Sequence, residues 1–221
     1  MDCRCSRSPI LLDFYQNYLV SANISDFEQN VSRHYTAGTL ERLVSHADTS
    51  IRRAAVLALG LLGNFSSNSL LATVLTDRDR TVALLAESAL RNIWRRDGDA
   101  DDQLALQNLI RMNAEGNSLK TVTYASLQLE KTPRFAEIWF QRASAWFTLG
   151  EFEFALEDLE KTLDLNPFHF NAYVMLGYVQ MELGHVALSL HAFRNALDIN
   201  PGLKNSRALK KMPHSTNPTG F

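Results

Sequence analysis

Cysteine is almost missing from this chain: Cys3 and Cys5 are the two present among 221 residues. Two thiols with no Cys or His partner at zinc-ligand spacing neither staple a fold nor complete a tetrahedral metal site. They read as free thiols near one end. Long apolar runs are missing too. Ser8-Pro9-Ile10-Leu11-Leu12 is broken by Asp13, too soon for a signal peptide, and no stretch approaches the roughly 18 apolar residues of a membrane span. Excess charge of either sign is absent, with 22 basic against 24 acidic residues and a net charge of −2. Nothing electrostatic therefore favours nucleic acid or a membrane surface as partner, and neither is expected. Lysine does not occur before Lys120; the first half uses arginine alone. These absences predict a soluble, cytoplasmic protein.

Catalytic signatures are missing as well. There is no phosphate-cradling Gly-x-x-x-x-Gly-Lys, no Gly-x-Ser-x-Gly and no His-Glu-x-x-His. His185 and His191 lie six apart, which does not place two ligands on one helical face. His34, His46, His169 and His214 are scattered and read as surface or half-buried side chains. In Asp97-Gly98-Asp99-Ala100-Asp101-Asp102, a calcium loop would need glycine where Asp102 stands and glutamate where Asn108 stands. The segment reads instead as a turn that supplies negative charge to the next helix N-terminus. Glu157, Asp158 and Glu160 read as a solvated helix face. No catalytic residue, metal or cofactor is assigned, and the chain is not read as an enzyme.

What is present is regular. Of six prolines, Pro133, Pro167 and Pro201 stand 34 residues apart, each closing a similar phrase: Leu129-Glu130-Lys131-Thr132-Pro133, Leu165-Asn166-Pro167, Ile199-Asn200-Pro201. A fixed step of this size marks a helix–turn–helix array. With proline as position 32, units run over 136–169 and 170–203. Trp139 and Tyr173 share position 4, Ala143 and Gly177 position 8, Gly150 and Gly184 position 15. Ala155 and Leu159 correspond to Ser189 and Phe193. Small residues permit close helix approach, large ones fill the gaps, the glycines end first helices in left-handed caps, and the prolines stop second helices. A weaker copy, 102–135, keeps Gly116 and Pro133 but has Ala105 and Leu109 at positions 4 and 8.

These residues resemble the tetratricopeptide repeat family. The resemblance implies that first helices line a concave groove at positions 2, 5, 9, 12 and 13. Those positions hold Glu137, Phe140, Ser144, Phe147 and Thr148, then Asn171, Val174, Tyr178, Met181 and Glu182, with Leu106 and Ile110 from the weaker copy. Phe140, Ser144, Phe147, Val174, Tyr178 and Met181 form the candidate partner-binding groove. It is apolar and aromatic, suited to an amphipathic helix or an extended apolar peptide. The alternative is that the protein's own segments cover it. Family members that read chaperone C-terminal carboxylates use cationic groove positions. Here Leu106 or Phe140, Ile110 or Ser144, and Gln141 or Met175 occupy them, so that role is not expected.

A second period occupies the first half. Leu40, Leu43, Asp48, Ile51, Ala55 and Leu59 recur 31 residues later as Leu71, Val74, Asp79, Val82, Ala86 and Leu90. Helix pairs rich in small residues (Ala54, Ala55, Ala58, Ala86, Ala89) are predicted. This half resembles short HEAT repeats of the kind found in phycobilin lyases. Arg52 matches that family's arginine, while Ala83 stands at the equivalent place in the second copy. Arg91, Arg95 and Arg96, with Arg78 and Arg80 a helix earlier, make the densest basic patch. It reads as a solvated or acid-paired face and is a secondary candidate surface.

The predicted fold is all-α, a right-handed α-α superhelix of HEAT-like and then tetratricopeptide hairpins. Its expected parts are N-terminal capping helices over 1–37, the HEAT-like pair over 38–96, an acidic linker over 97–101, the weak repeat over 102–135, and two full repeats over 136–169 and 170–203. A capping helix over 204–211 and a disordered tail over 212–221 follow. Ser8 is expected to cap a helix from Pro9, and Ser25 with Glu28 to box the next one. The function these features imply is a non-catalytic adaptor or scaffold that holds a protein or peptide partner. The alternative, resting only on the HEAT resemblance, is a bilin-lyase-like enzyme or small-ligand carrier.

Overall fold

The computed structural model describes residues 9–205. Among them there are twelve α-helices and no strand. Cys3, Cys5, Ser8, most of the expected capping helix and the whole tail lie outside the described residues. Pro201–Asn205 forms a 3-10 turn.

The opening helices start differently from expectation. α1 spans Leu11–Ser21 and has no side-chain cap. α2 spans Ile24–His34, and its cap is Asn23, whose side chain accepts from the Asp26 N–H at 3.1 Å. An asparagine oxygen at the cap reaches the third helical N–H, so Ser25 falls inside the first turn instead of starting it. A capping box does occur at α7 (Ala100–Ala114), where Asp99 and Asp102 satisfy each other's backbone N–H groups. The acidic segment thus serves the helix start it was expected to serve.

The 31-residue period becomes two hairpins in the same register. α3 (Ala37–Leu43) and α4 (Thr49–Leu62) are followed by α5 (Asn68–Val74) and α6 (Arg80–Arg95). Asp48 and Asp79 cap α4 and α6 at equivalent positions. Leu40, Ile51, Ala55 and Leu59, and their counterparts Leu71, Val82, Ala86 and Leu90, are all buried. Alanines let α4 and α6 pack backbone to backbone: a Cβ on Gly60 would sit 2.9 Å from the Ala89 Cβ. The turn of the second hairpin clamps the second helix of the first. Asp77 holds the buried Arg52 at 2.9 and 3.0 Å, and Asp79 holds Arg53 at 3.0 and 2.8 Å. A bidentate carboxylate matches the guanidinium fork, so these pairs fix the register between hairpins.

The 34-residue period becomes three hairpins: α7 (Ala100–Ala114) with α8 (Ser118–Lys131), α9 (Ala136–Leu149) with α10 (Phe152–Leu165), and α11 (Phe170–Glu182) with α12 (Val186–Ile199). Gly116, Gly150 and Gly184 all take φ near +80° with open space around them. They are needed for left-handed backbone, not for room. Gly177 is the opposite case, because any Cβ there would meet the Phe193 ring at 2.5 Å. Between α9 and α10, Arg142 grips Asp158 at 2.8 and 2.7 Å. Asp158 is therefore buried, 3% exposed, and not part of a solvated face with Glu157 and Glu160. An i+1 spacing from a surface carboxylate turns a side chain toward the neighbouring helix, and an arginine waits there.

The two halves share one core. Phe170, Val174, Phe193, Ala196 and Leu203 belong to the same cluster of buried residues as the first six helices. The contact is made by one face of α6, at Glu87, Arg91 and Trp94, which recur at helical spacing. Glu87 accepts from the Asn200 side chain at 3.1 Å, Arg91 lies over the Phe170 ring, and Trp94 packs on Phe170. Trp94 Nε1 donates to Asn68, whose amide donates in turn to Asn166 at 2.9 Å. Asn166 and Asn200 occupy the same place in consecutive repeats, before Pro167 and Pro201. The N-terminal half hooks both.

Candidate functional site

The inner face of the array begins with a buried junction. His169, the last residue of its unit, is 1% exposed. Its ring stacks on Trp94 at 4.5 Å between centroids and packs against Phe140 at 4.6 Å. Nδ1 accepts from the Ala172 N–H at 3.0 Å and so caps α11. With Nδ1 an acceptor, the proton sits on Nε2, which donates to Glu137 at 2.8 Å. One imidazole thus joins α6, α9 and α11. The sequence reading placed His169 at the surface or half-buried; what changes its environment is α6, which no period within the repeats brings to this turn.

Junction and groove overlap. Of the residues assigned to the groove, Val174 is buried in the core shared with the N-terminal half. Tyr178 is half-buried against that core, edge-on to Phe193 at 5.1 Å. Burial lifts the Tyr178 hydroxyl above the ordinary tyrosine range. Phe140 is half-covered by His169. Ser144, Phe147 and Met181 are half-buried without contact to the N-terminal cluster, and Phe147 packs edge-on against Phe152 at 5.7 Å. The six therefore divide. Val174 and Tyr178 pack with the shared core and Phe140 on His169, while Phe147 packs with the separate cluster of Ala143, Ala155 and Leu159.

The arginine patch divides in the same way. Arg91 is paired with Glu87 at 2.6 Å. Arg96 donates one nitrogen to the carbonyls of Gly60 and Gly63, each at 3.0 Å, closing the C-terminus of α4. Burial pushes its pKa down, and Glu28 only partly offsets this. Arg95 is exposed and makes no ion pair among the described residues.

Where α6 ends, a cleft of about 330 Å³ opens between Arg95 and Arg96 on one side and Gln103, Leu106, Gln107 and Ile110 of α7 on the other. Leu106 and Ile110 are the groove positions of the weak repeat. Asn113, also on α7, donates to the backbone and side chain of Gln141 on α9, which ties this stretch to the next first helix. This cleft brings Arg95 and Arg96 of the basic patch beside Leu106 and Ile110 of the weak repeat. Gln103 and Gln107 were missed, and the signal available was their spacing beside Leu106 and Ile110. A larger cleft of about 500 Å³ lies by the turn before α9, lined by Asp97, Lys131, Arg134, Phe65 and Phe135 among others. Burial raises the Asp97 pKa, and Arg134 opposes that shift. No group of three or more metal-ligating side chains occurs among the described residues. None of the described helices is long and apolar enough to cross a membrane.

The tetratricopeptide repeat family model matches residues 170–203. A TPR repeat-containing protein of Rhizobium etli is 26% identical over 125 residues, covering 57% of this chain and 61% of that protein. Tetratricopeptide repeat protein 12 of Homo sapiens is 31% identical over 91 residues, 41% of this chain and 13% of the relative. The small glutamine-rich tetratricopeptide repeat-containing protein 2 of Saccharomyces cerevisiae is 30% identical over 79 residues, 36% of this chain and 22% of the relative. The chain thus spans less than two thirds of the length of the curated relatives it matches. Among solved structures, one of MamA MSR-1 aligns with a TM-score of 0.42 at 14% identity, covering 86% of this chain and 97% of that one. A MamA mutant aligns with a TM-score of 0.43 at 17% identity, covering 92% and 99%.

Proposed function

We propose that this protein is a non-catalytic adaptor whose inner face holds an apolar peptide or amphipathic helix of a protein partner. One observation carries the reading. Phe147 and Met181 occupy the same position in consecutive repeats, and both stay half-exposed. Large apolar side chains at a concave, partly open face are the usual form of a helix-in-groove site. Beside it, α6 packs on the turn before α11, with Trp94 against His169 and Phe170. The relatives' tetratricopeptide names support a protein-holding role, and the N-terminal hairpins, HEAT-like in pattern, extend the surface available. Phe147→Ala combined with Met181→Ala tests the proposal by affinity capture from the source cell with mass-spectrometric readout. The main partner should be lost while the helical circular dichroism signal stays intact, since anchor residues typically carry about 2 kcal/mol or more each. Capture at wild-type level by the folded double variant would refute it.

A further inference from the structure

The geometry points to an acidic amphipathic peptide as the ligand of this face, its carboxylate read by Arg95 from outside the repeat array. The inference rests on the adaptor reading above and names the partner's chemistry. The cleft at the end of α6 has an apolar floor, with Leu106 buried and Ile110 half-buried one helical turn apart. Its opposite wall is cationic. Arg95 is exposed and unpaired among the described residues, and Arg96 uses one guanidinium nitrogen on two backbone carbonyls, leaving Nε and Nη1 without a protein acceptor among them.

No carboxylate lines this cleft. Asp99 and Asp102 cap α7, and Asp97 and Asp101, both exposed, make no ion pair with either arginine. Glu28, the carboxylate that acts on Arg96, belongs to α2 and is not part of the lining. A carboxylate that arrives with apolar neighbours can pair with the exposed Arg95 guanidinium while those neighbours lie on the half-buried Ile110, and a charge-assisted pair is stronger than a neutral hydrogen bond. Gln103 spends its amide N–H groups on the Gly98 and Arg96 carbonyls, at 2.8 and 3.4 Å, and the exposed Gln107 adds a neutral donor beside Leu106. Nucleic acid fits less well, since only two arginines line the cleft and its one nearby indole, Trp94, is already buried against His169. Counting cationic positions within the repeats finds no clamp; the charge comes from the helix laid across them.

Fluorescence anisotropy on the full chain tests this with labelled model peptides. One carries leucines along a single helical face flanked by glutamates, a second has glutamine for each glutamate, and a third has lysine. A single-stranded oligonucleotide serves as the fourth probe. The glutamate peptide should bind about tenfold tighter than its glutamine twin, the size expected for one charge-assisted contact. Arg95→Glu, a change at an exposed side chain, should erase that preference and shift it toward the lysine peptide. Phe147→Ala should weaken all the peptides. Equal binding of the glutamate and glutamine peptides, or a preference unmoved by Arg95→Glu, would overturn the inference. In that case sensitivity to Phe147→Ala would leave the adaptor reading standing. Insensitivity to Phe147→Ala, or no peptide binding at all, would remove both. Tighter binding of the oligonucleotide than of any peptide would overturn the assignment of partner class.

Discussion

Asp79 shows how one side chain can serve two elements. Its Oδ1 accepts from the Val82 N–H at 3.0 Å, capping α6, while both oxygens hold Arg53 of the preceding hairpin. The Arg53 hydrogen bonds, then the Val82 N–H, bring its pKa from 3.8 down to about 2. A depressed carboxylate pKa contributes stability that is complete above the unfolded value and lost as pH falls through the folded one. Thermal melts of the wild type should therefore lose stability between pH 3.8 and about 2. Asp79→Asn should start less stable at neutral pH and lose less across that window. Parallel pH dependence of the two proteins would contradict this role. Gly177 makes a second residue-scale case. Its missing Cβ is the space the Phe193 ring occupies, so Gly177→Leu should lower stability by about 1–3 kcal/mol or more through overpacking. Chemical denaturation checks the size, and Phe193→Leu in the same chain should return part of the loss.

At the scale of elements, α6 is the helix with most consequences. Its buried stripe, Val82, Ala86, Ala89, Leu90 and Ile93, belongs to the N-terminal pair, while Glu87, Arg91 and Trp94 face the second half. Trp94→Ala would remove the stack on His169 and leave the Asn68 carbonyl oxygen without its donor. Truncation of a buried tryptophan costs about 3–5 kcal/mol, and differential scanning calorimetry should show one transition for the wild type and a broadened or split one for the variant as the halves uncouple. A sharp transition at the wild-type temperature would mean that α6 does not join them.

Periods were readable because each encodes a local rule. The steps of 34 and 31 residues predicted hairpins, left-handed glycines and small residues at crossings, and α9 to α12 fall where those rules put them. Contacts between periods were not readable. His169 looked like a surface histidine, Asp158 like a solvated charge, and Arg96 like part of a free patch, because their partners Trp94, Arg142 and the end of α4 come from other helices. The same gap affected the site: repeat register named Phe147 and Met181, but only the packing of α6 separates them from Val174 and brings Arg95 beside Leu106.

The described residues form an all-α stack of hairpins in which the N-terminal half packs on the second through one shared core. Trp94, His169, Asn166 and Asn200 hold the two halves together, and the site proposed above lies on α7, α9 and α11. The outer helices carry exposed apolar side chains too, including Leu119 and Leu127 on α8 and Phe154 on α10, so a rival surface exists and must be distinguished. Amide hydrogen exchange with and without the captured partner does this most directly. New protection should concentrate in residues 103–110, 140–148 and 174–182. Protection confined to α8, α10 and α12, with the inner strip unchanged, would contradict the central claim that this protein works through its inner face.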